Sequence, residues 1–214
     1  MVIPDTFGLR GEKPVASYDF FDLATNQASK VFYASRNNNK TVDMLSPVEI
    51  GSDITFTLIS VAGAHEEVNY DYEFGLPMVI GGDFFISGTV QVNRTAGTVT
   101  GHTDFRILKV TLASAEEELV GTISFTPQSN GGVASVCDSY TIAGSIPKTH
   151  FKAGEKLRLE TIYTFTNTGA TGSVKWFHDP LGRGNPGFDR KIEPEGTAIP
   201  STKLKFVVPF VTQL

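Results

Sequence analysis

The stretch His178-Asp179-Pro180-Leu181-Gly182-Arg183-Gly184-Asn185-Pro186 sets an imidazole beside a carboxylate, with a guanidinium four residues beyond. Acid–base work would need the first two groups within reach of one substrate proton. Neighbouring residues of an extended chain point to opposite sides, so adjacency by itself separates them. Gly182-Arg183-Gly184 lacks the spacing and the terminal Lys-Ser/Thr with which a glycine loop cradles phosphate. A docked loop, with a turn at Asp179-Pro180 and Arg183 paired to a carboxylate, is the expected arrangement.

Three further sets of residues invite a chemical reading. Asn69, Asp71 and Glu73 alternate, so their oxygens would line one side of an extended chain. Calcium takes about six to eight oxygens, and no EF-hand spacing accompanies these three. A solvated face is expected there, with Tyr70, Tyr72 and Phe74 turned inward. The four histidines, His65, His102, His150 and His178, form no His-x-His or His-x-x-x-His pair, so no zinc site is legible. Cys137 is the single cysteine, which excludes an intramolecular disulfide and predicts a small core residue. Trp176, the single tryptophan, would plug one end of a core or stack on a sugar ring.

The elements that must hold these residues are strands. From Glu155 to Thr166, Leu157, Leu159, Tyr163 and Phe165 share one face, while Lys156, Arg158, Glu160 and Thr164 take the other. The segment Lys203 to Val211 repeats the pattern, with Leu204, Phe206, Val208 and Phe210 on one side. Period-two alternation of this kind marks antiparallel strands with one face on a core. Further strands are predicted over Val15–Leu23, Lys30–Ala34, Asp53–Val61, Phe84–Asn93, Phe105–Leu112, Leu119–Pro127, Ser139–Ile146 and Ser173–Phe177. Turn formers such as Gly81-Gly82-Asp83 and Asn130-Gly131-Gly132 separate them. Only Ala113–Glu118 favours helix, and it is long enough for one turn.

No intervening helices exist for parallel crossover units. The expected fold is therefore all-β: a single antiparallel β-sandwich, jelly-roll-like, spanning residues 1–214. Two regions read as long loops, 66–82 and 177–200, and long loops in compact domains are usually functional.

Bulk properties narrow the function. A chain of 214 residues buries roughly 70% of its unfolded surface and needs neither metal nor disulfide to fold. The net charge of -5, without basic runs, argues against direct nucleic-acid binding. Met1-Val2-Ile3-Pro4-Asp5 has no basic, apolar leader character, and no apolar run approaches a membrane span. Synthesis in a cytoplasm, no membrane and no cofactor are expected.

Two stretches together resemble a known group. Val15-Ala16-Ser17-Tyr18-Asp19-Phe20-Phe21-Asp22-Leu23-Ala24, followed by Val31-Phe32-Tyr33-Ala34, is similar to the opening of β-rich virion proteins of tailed bacteriophages. The close is similar too: Phe151-Lys152-Ala153-Gly154-Glu155-Lys156-Leu157-Arg158-Leu159, then His178-Asp179-Pro180, then Leu204-Lys205-Phe206 to Pro209-Phe210. The resemblance covers about a third of the chain, in its structural motifs. It implies a non-enzymatic capsid auxiliary, decoration or fibre component residing in the virion. Its partners would be other virion proteins, the major capsid protein first, and further copies of itself. Docking is expected through the two loops, with Tyr70, Tyr72, Trp176, His178, Asp179 and Arg183 at the interface.

Two alternatives stand beside this expectation. One is a carbohydrate-binding module or adhesin that uses Trp176, Tyr70 and Tyr72 as platforms, with calcium at Asp71. The other is a glycoside hydrolase or lyase, which would need two facing carboxylates. Glu160 and Asp104 lie on polar strand faces, but nothing in the sequence selects them.

Overall fold

A computed structural model describes residues 27–36, 43–48, 56–60, 63–94, 98–127, 135–168, 172–178 and 204–211. All regular structure among them is strand: β1 Gln27–Arg36, β2 Asp43–Ser46, β3 Phe56–Ile59, β4 His65–Glu73, β5 Met78–Arg94, β6 Thr98–Val110, β7 Glu116–Phe125, β8 Ser135–Phe151, β9 Lys156–Thr168, β10 Gly172–Phe177 and β11 Lys205–Val211. The all-β, antiparallel expectation holds. One pairing departs from it: β2 and β4 run parallel where Met44 meets Asp71.

The strands form one hydrogen-bonded path, β3-β10-β5-β11-β1-β2-β4-β9-β6-β7, with β8 on the second edge of β5. That path is a continuous sheet where two separate sheets were expected. It curls around one core. Phe84 and Ile86 of β5 and Phe206 of β11 lie in the same buried cluster as Phe105 of β6 and Leu157 and Tyr163 of β9. The two ends of the curl, β7 and β8, meet through side chains. Phe125 and Tyr140 stack with ring centroids 4.6 Å apart. Gly144 of β8 leaves room for the Phe84 ring of β5, since a Cβ at that position would lie 2.7 Å from Phe84 Cε1. Sheet edges turned toward one another offer little template to a foreign strand.

β5 organises the molecule. β8 covers one of its edges from Met78 to Asn93. The other edge is divided: β11 pairs with it at Ile80 and from Phe85 to Ser87, and β10 takes over from Val90 to Arg94. Pro209 sits in β11 where the register with β5 shifts between Val207 and Phe210. Proline has no N–H to donate, so a ladder slips or bulges at such a place. A second irregularity lies on the β8 side between Ile80 and Gly82. Gly82 there adopts φ of +125°, a conformation that side chains with a Cβ resist.

The region 66–82, expected as a long loop, is instead most of β4, a tight turn and the start of β5. Its aromatic and acidic residues alternate because they belong to a strand with one wet face. Of the segment predicted to favour helix, 113–115 lie in a turn, where Ser114 takes a positive φ of 61°, and 116–118 open β7. The predicted strand at 15–23, most of the loop 177–200, and Asp179 and Arg183 lie outside the described residues.

Candidate functional site

Where the edge of β5 passes from β11 to β10, buried polar side chains take the place of apolar ones. β10 ends at Phe177, beside Phe56 of β3, and His178 follows directly. β1 ends nearby at Arg36, tied through the bond from Ala34 N to the Leu204 carbonyl that precedes β11. A buried polar chain occupies the place. His178 is fully buried, with Nδ1 2.6 Å from the Tyr70 hydroxyl and Nε2 2.8 Å from Thr57 Oγ1. Arg36 Nη1 donates to the same Thr57 oxygen over 2.8 Å. Arg36 Nη2 lies 2.6 Å from Glu66, and its Nε faces Asp43 at 3.5 Å.

Each link follows from strand geometry. Phe32, Ala34 and Arg36 occupy alternate positions of β1, so Arg36 is carried inward by the same pleat that buries the other two. A buried guanidinium must be paired. Burial works against its charge, but Glu66 and Asp43 offset that, and its pKa lies above the ordinary value. Burial likewise pushes Tyr70 well up, with Tyr163 adding to it, and pushes Tyr163 up to about 12. These phenols therefore stay protonated and act as hydrogen-bonding groups. A neutral imidazole has one donor and one acceptor nitrogen, which two hydroxyls can match.

The chain Glu66–Arg36–Thr57–His178–Tyr70 thus joins β4, β1, β3 and the end of β10. It has no exposed nucleophile or base among its members apart from the partly exposed Glu66. Chemically it can lock four strands in register; it cannot meet a substrate without opening.

This corrects three of the expected interface residues. Tyr70 and His178 have no exposed surface, and Trp176 is 1% exposed, its ring 4.9 Å from that of Tyr163. Side chains so placed cannot touch a partner protein or carry a sugar. Trp176 is a core plug. Tyr72 is partly exposed, but its ring lies between Phe32 at 4.6 Å and Phe74 at 5.2 Å, with Lys30 Nζ 5.2 Å above it. Asp71, the suggested calcium ligand, is held by Arg158 through Nε at 2.7 Å and Nη2 at 2.9 Å. Arg36, Thr57 and Glu66 escaped the sequence reading. The one signal available was an arginine on the apolar side of β1.

A different feature reaches the surface. At one end of the sheet three turns adjoin: 74–77, 111–115 and 152–155. Phe74 N donates to the Glu155 carbonyl at 3.0 Å and Gly154 N to the Phe74 carbonyl at 2.7 Å. Thr111 N and Ser114 N close the third turn on Ala115 and Thr111, both at 2.9 Å. From these fixed turns project Leu76, 71% exposed, and Leu112, 66% exposed. Leu112 leans against Gly154, where a Cβ would come within 2.8 Å of its Cδ2.

No known protein family matches the sequence, and no curated protein resembles it in sequence. Among solved structures, a CocE/NonD family hydrolase from Staphylococcus aureus aligns over 87% of this chain at 12% identity, with a TM-score of 0.48. The chain spans 37% of that hydrolase's length. The Eiger TNF of S. frugiperda aligns over 75% of this chain and 94% of its own, at 10% identity and a TM-score of 0.26. The infectious bursal disease virus Gt strain aligns over 79% of this chain and 44% of its own, at 10% identity and a TM-score of 0.18. Likenesses this distant do not bear on what the chain does.

Proposed function

We propose that this protein is a non-enzymatic structural component of a virus particle, of the capsid auxiliary or decoration type, acting by packing against other virion proteins. The observation that carries the reading is the pair Leu76 and Leu112, large apolar side chains presented to solvent on hydrogen-bonded turns at one end of the curled sheet. Apolar anchors on a rigid support lose little conformational entropy on docking, which is how a packing protein gains affinity. The similarity of the two chain ends to phage virion proteins points the same way. The engagement of His178, Tyr70, Asp71 and Glu160 in internal bonds supports a scaffold whose polar side chains serve the fold.

Of the two loops expected to dock, most of 177–200 lies outside the described residues, and within 66–82 the proposed docking element is the exposed turn, residues 75–77, together with Leu112. Particles assembled in the presence of the tagged wild-type chain should carry it after purification. The double variant Leu76→Asp, Leu112→Asp should fold with an unchanged melting temperature and stay in the soluble fraction. A wild-type chain absent from purified particles would sink the reading, and full occupancy by the double variant would remove these leucines from it.

A further inference from the structure

The two outer faces of the curled sheet differ in a way that a lone monomer does not require. On the face formed by β4, β9, β6 and β7, arginines and carboxylates are tied into ion pairs. Arg158 bridges Asp71 and Glu116, and Arg106 bridges Glu160 and Glu118. The face formed by β8, β5, β11 and β1 carries an apolar row instead. Ala143, Phe85, Val207 and Val31 are direct partners across the four strands. Phe85 at its centre is 45% exposed, although Phe84 and Ile86 on either side of it are fully buried in the core. Neighbouring strands lie about 4.8 Å apart, so the row crosses roughly 14 Å of sheet.

The rows on either side of this one add two charges. Asp83 pairs with Ser145, one same-face step from Phe85 toward the start of β5. Lys205 pairs with Ser87, one step toward its end. Neither forms an ion pair with a described residue, in contrast to the charges of the other face. Their arrangement is self-complementary. When two copies meet face to face about a two-fold axis along the apolar row, Phe85 and Val207 meet their own counterparts. The same rotation carries Asp83 of each copy to the level of Lys205 in the other. An isologous contact needs this property, that every group finds its complement on an identical surface.

We infer that this face pairs two copies of the chain, through Phe85 and Val207 at the centre and reciprocal Asp83–Lys205 contacts at the sides. The inference deepens the packing reading by naming a surface and a partner, and that reading's own anchors, Leu76 and Leu112, lie elsewhere. A surface of this extent falls at the small end of specific interfaces, so pairing in the micromolar range is expected.

Sedimentation equilibrium of the full chain across the micromolar range tests it, with far-UV circular dichroism to verify folding of each variant. The wild type should equilibrate between monomer and dimer. Phe85→Asp should weaken the dimer at least about tenfold, as loss of a central anchor does. Asp83→Lys and Lys205→Asp should each weaken it, and the two combined should restore it, because reversal of both charges rebuilds the reciprocal contact. A wild-type chain that stays monomeric assigns the face to another partner and overturns the inference. So does a dimer indifferent to Phe85→Asp, or one that the double charge reversal fails to rescue. A dimer that obeys these substitutions supports the inference whether or not the chain is found on particles, so the two proposals fail independently.

Discussion

His178 marks where residue chemistry and residue function part. Its type and its neighbour Asp179 could have served acid–base chemistry, a docked loop was the expectation, and its surroundings make it a bolt between strands. Both ring nitrogens face hydroxyls, and the hydroxyl of Thr57 is shared with a buried arginine. Tyr70→Phe would keep the ring volume and remove the oxygen that meets Nδ1. We expect the variant to fold and to lose about 1–3 kcal/mol, the usual result of stripping a buried polar group of one partner. Urea unfolding would register this as a lower midpoint, and an unchanged midpoint would mean that the contact contributes nothing net. The inward placement of Tyr70 and the plugging role of Trp176 were legible from alternation and aromatic character. Arg36 was not: a charge on an apolar strand face announces that a partner exists, but only the fold names Glu66 and Thr57, the latter across 21 residues of chain.

At the scale of elements, the turn that joins β8 to β9 is held electrostatically. Glu155 is nearly buried, accepts from Lys152 N at 2.8 Å, and lies 3.1 Å from Lys109 Nζ. The backbone donor of Lys152, then Lys109, hold its carboxyl below the ordinary glutamate value of 4.5. A carboxyl with a depressed folded pKa stabilises the fold above its unfolded pKa and loses that contribution as pH falls through the folded one. Glu155→Gln should therefore melt below the wild type at neutral pH. The gap should close as pH drops below 4.5, which melting curves over an acid series would record. A gap that persists at the acid end would assign the effect to packing. Glu160 runs the other way, since burial raises its pKa against the pull of Arg106, so it does not produce the same trend. Most strands were readable by period. β4 was missed because alternating acids and tyrosines look like an insertion until β9 is seen beside them. β2, four residues long, holds its place through β1 and β4 on either side.

Over the whole molecule, the described core is one cluster that draws on nearly every strand, and Trp176 lies inside it. Fluorescence of that single tryptophan and far-UV circular dichroism should therefore report one coincident unfolding transition. A fluorescence change that precedes the loss of strand signal would show that the β3–β10 corner opens on its own. The sequence by itself determined the class of fold, because period-two burial is a local property that each strand writes into its own residues. It also determined the absence of a zinc-ligand spacing and the inward turn of Tyr70 and Phe74. Tertiary structure decided the rest: the single curling path of strands, the division of one β5 edge between β10 and β11, the partners of Arg36 and His178, and the difference between the two outer faces. These depend on which strands become neighbours, and pairing energy in a sheet is spread over backbone groups that every residue carries alike. Only closure around a shared core selects one strand order, and with it the residues left facing outward.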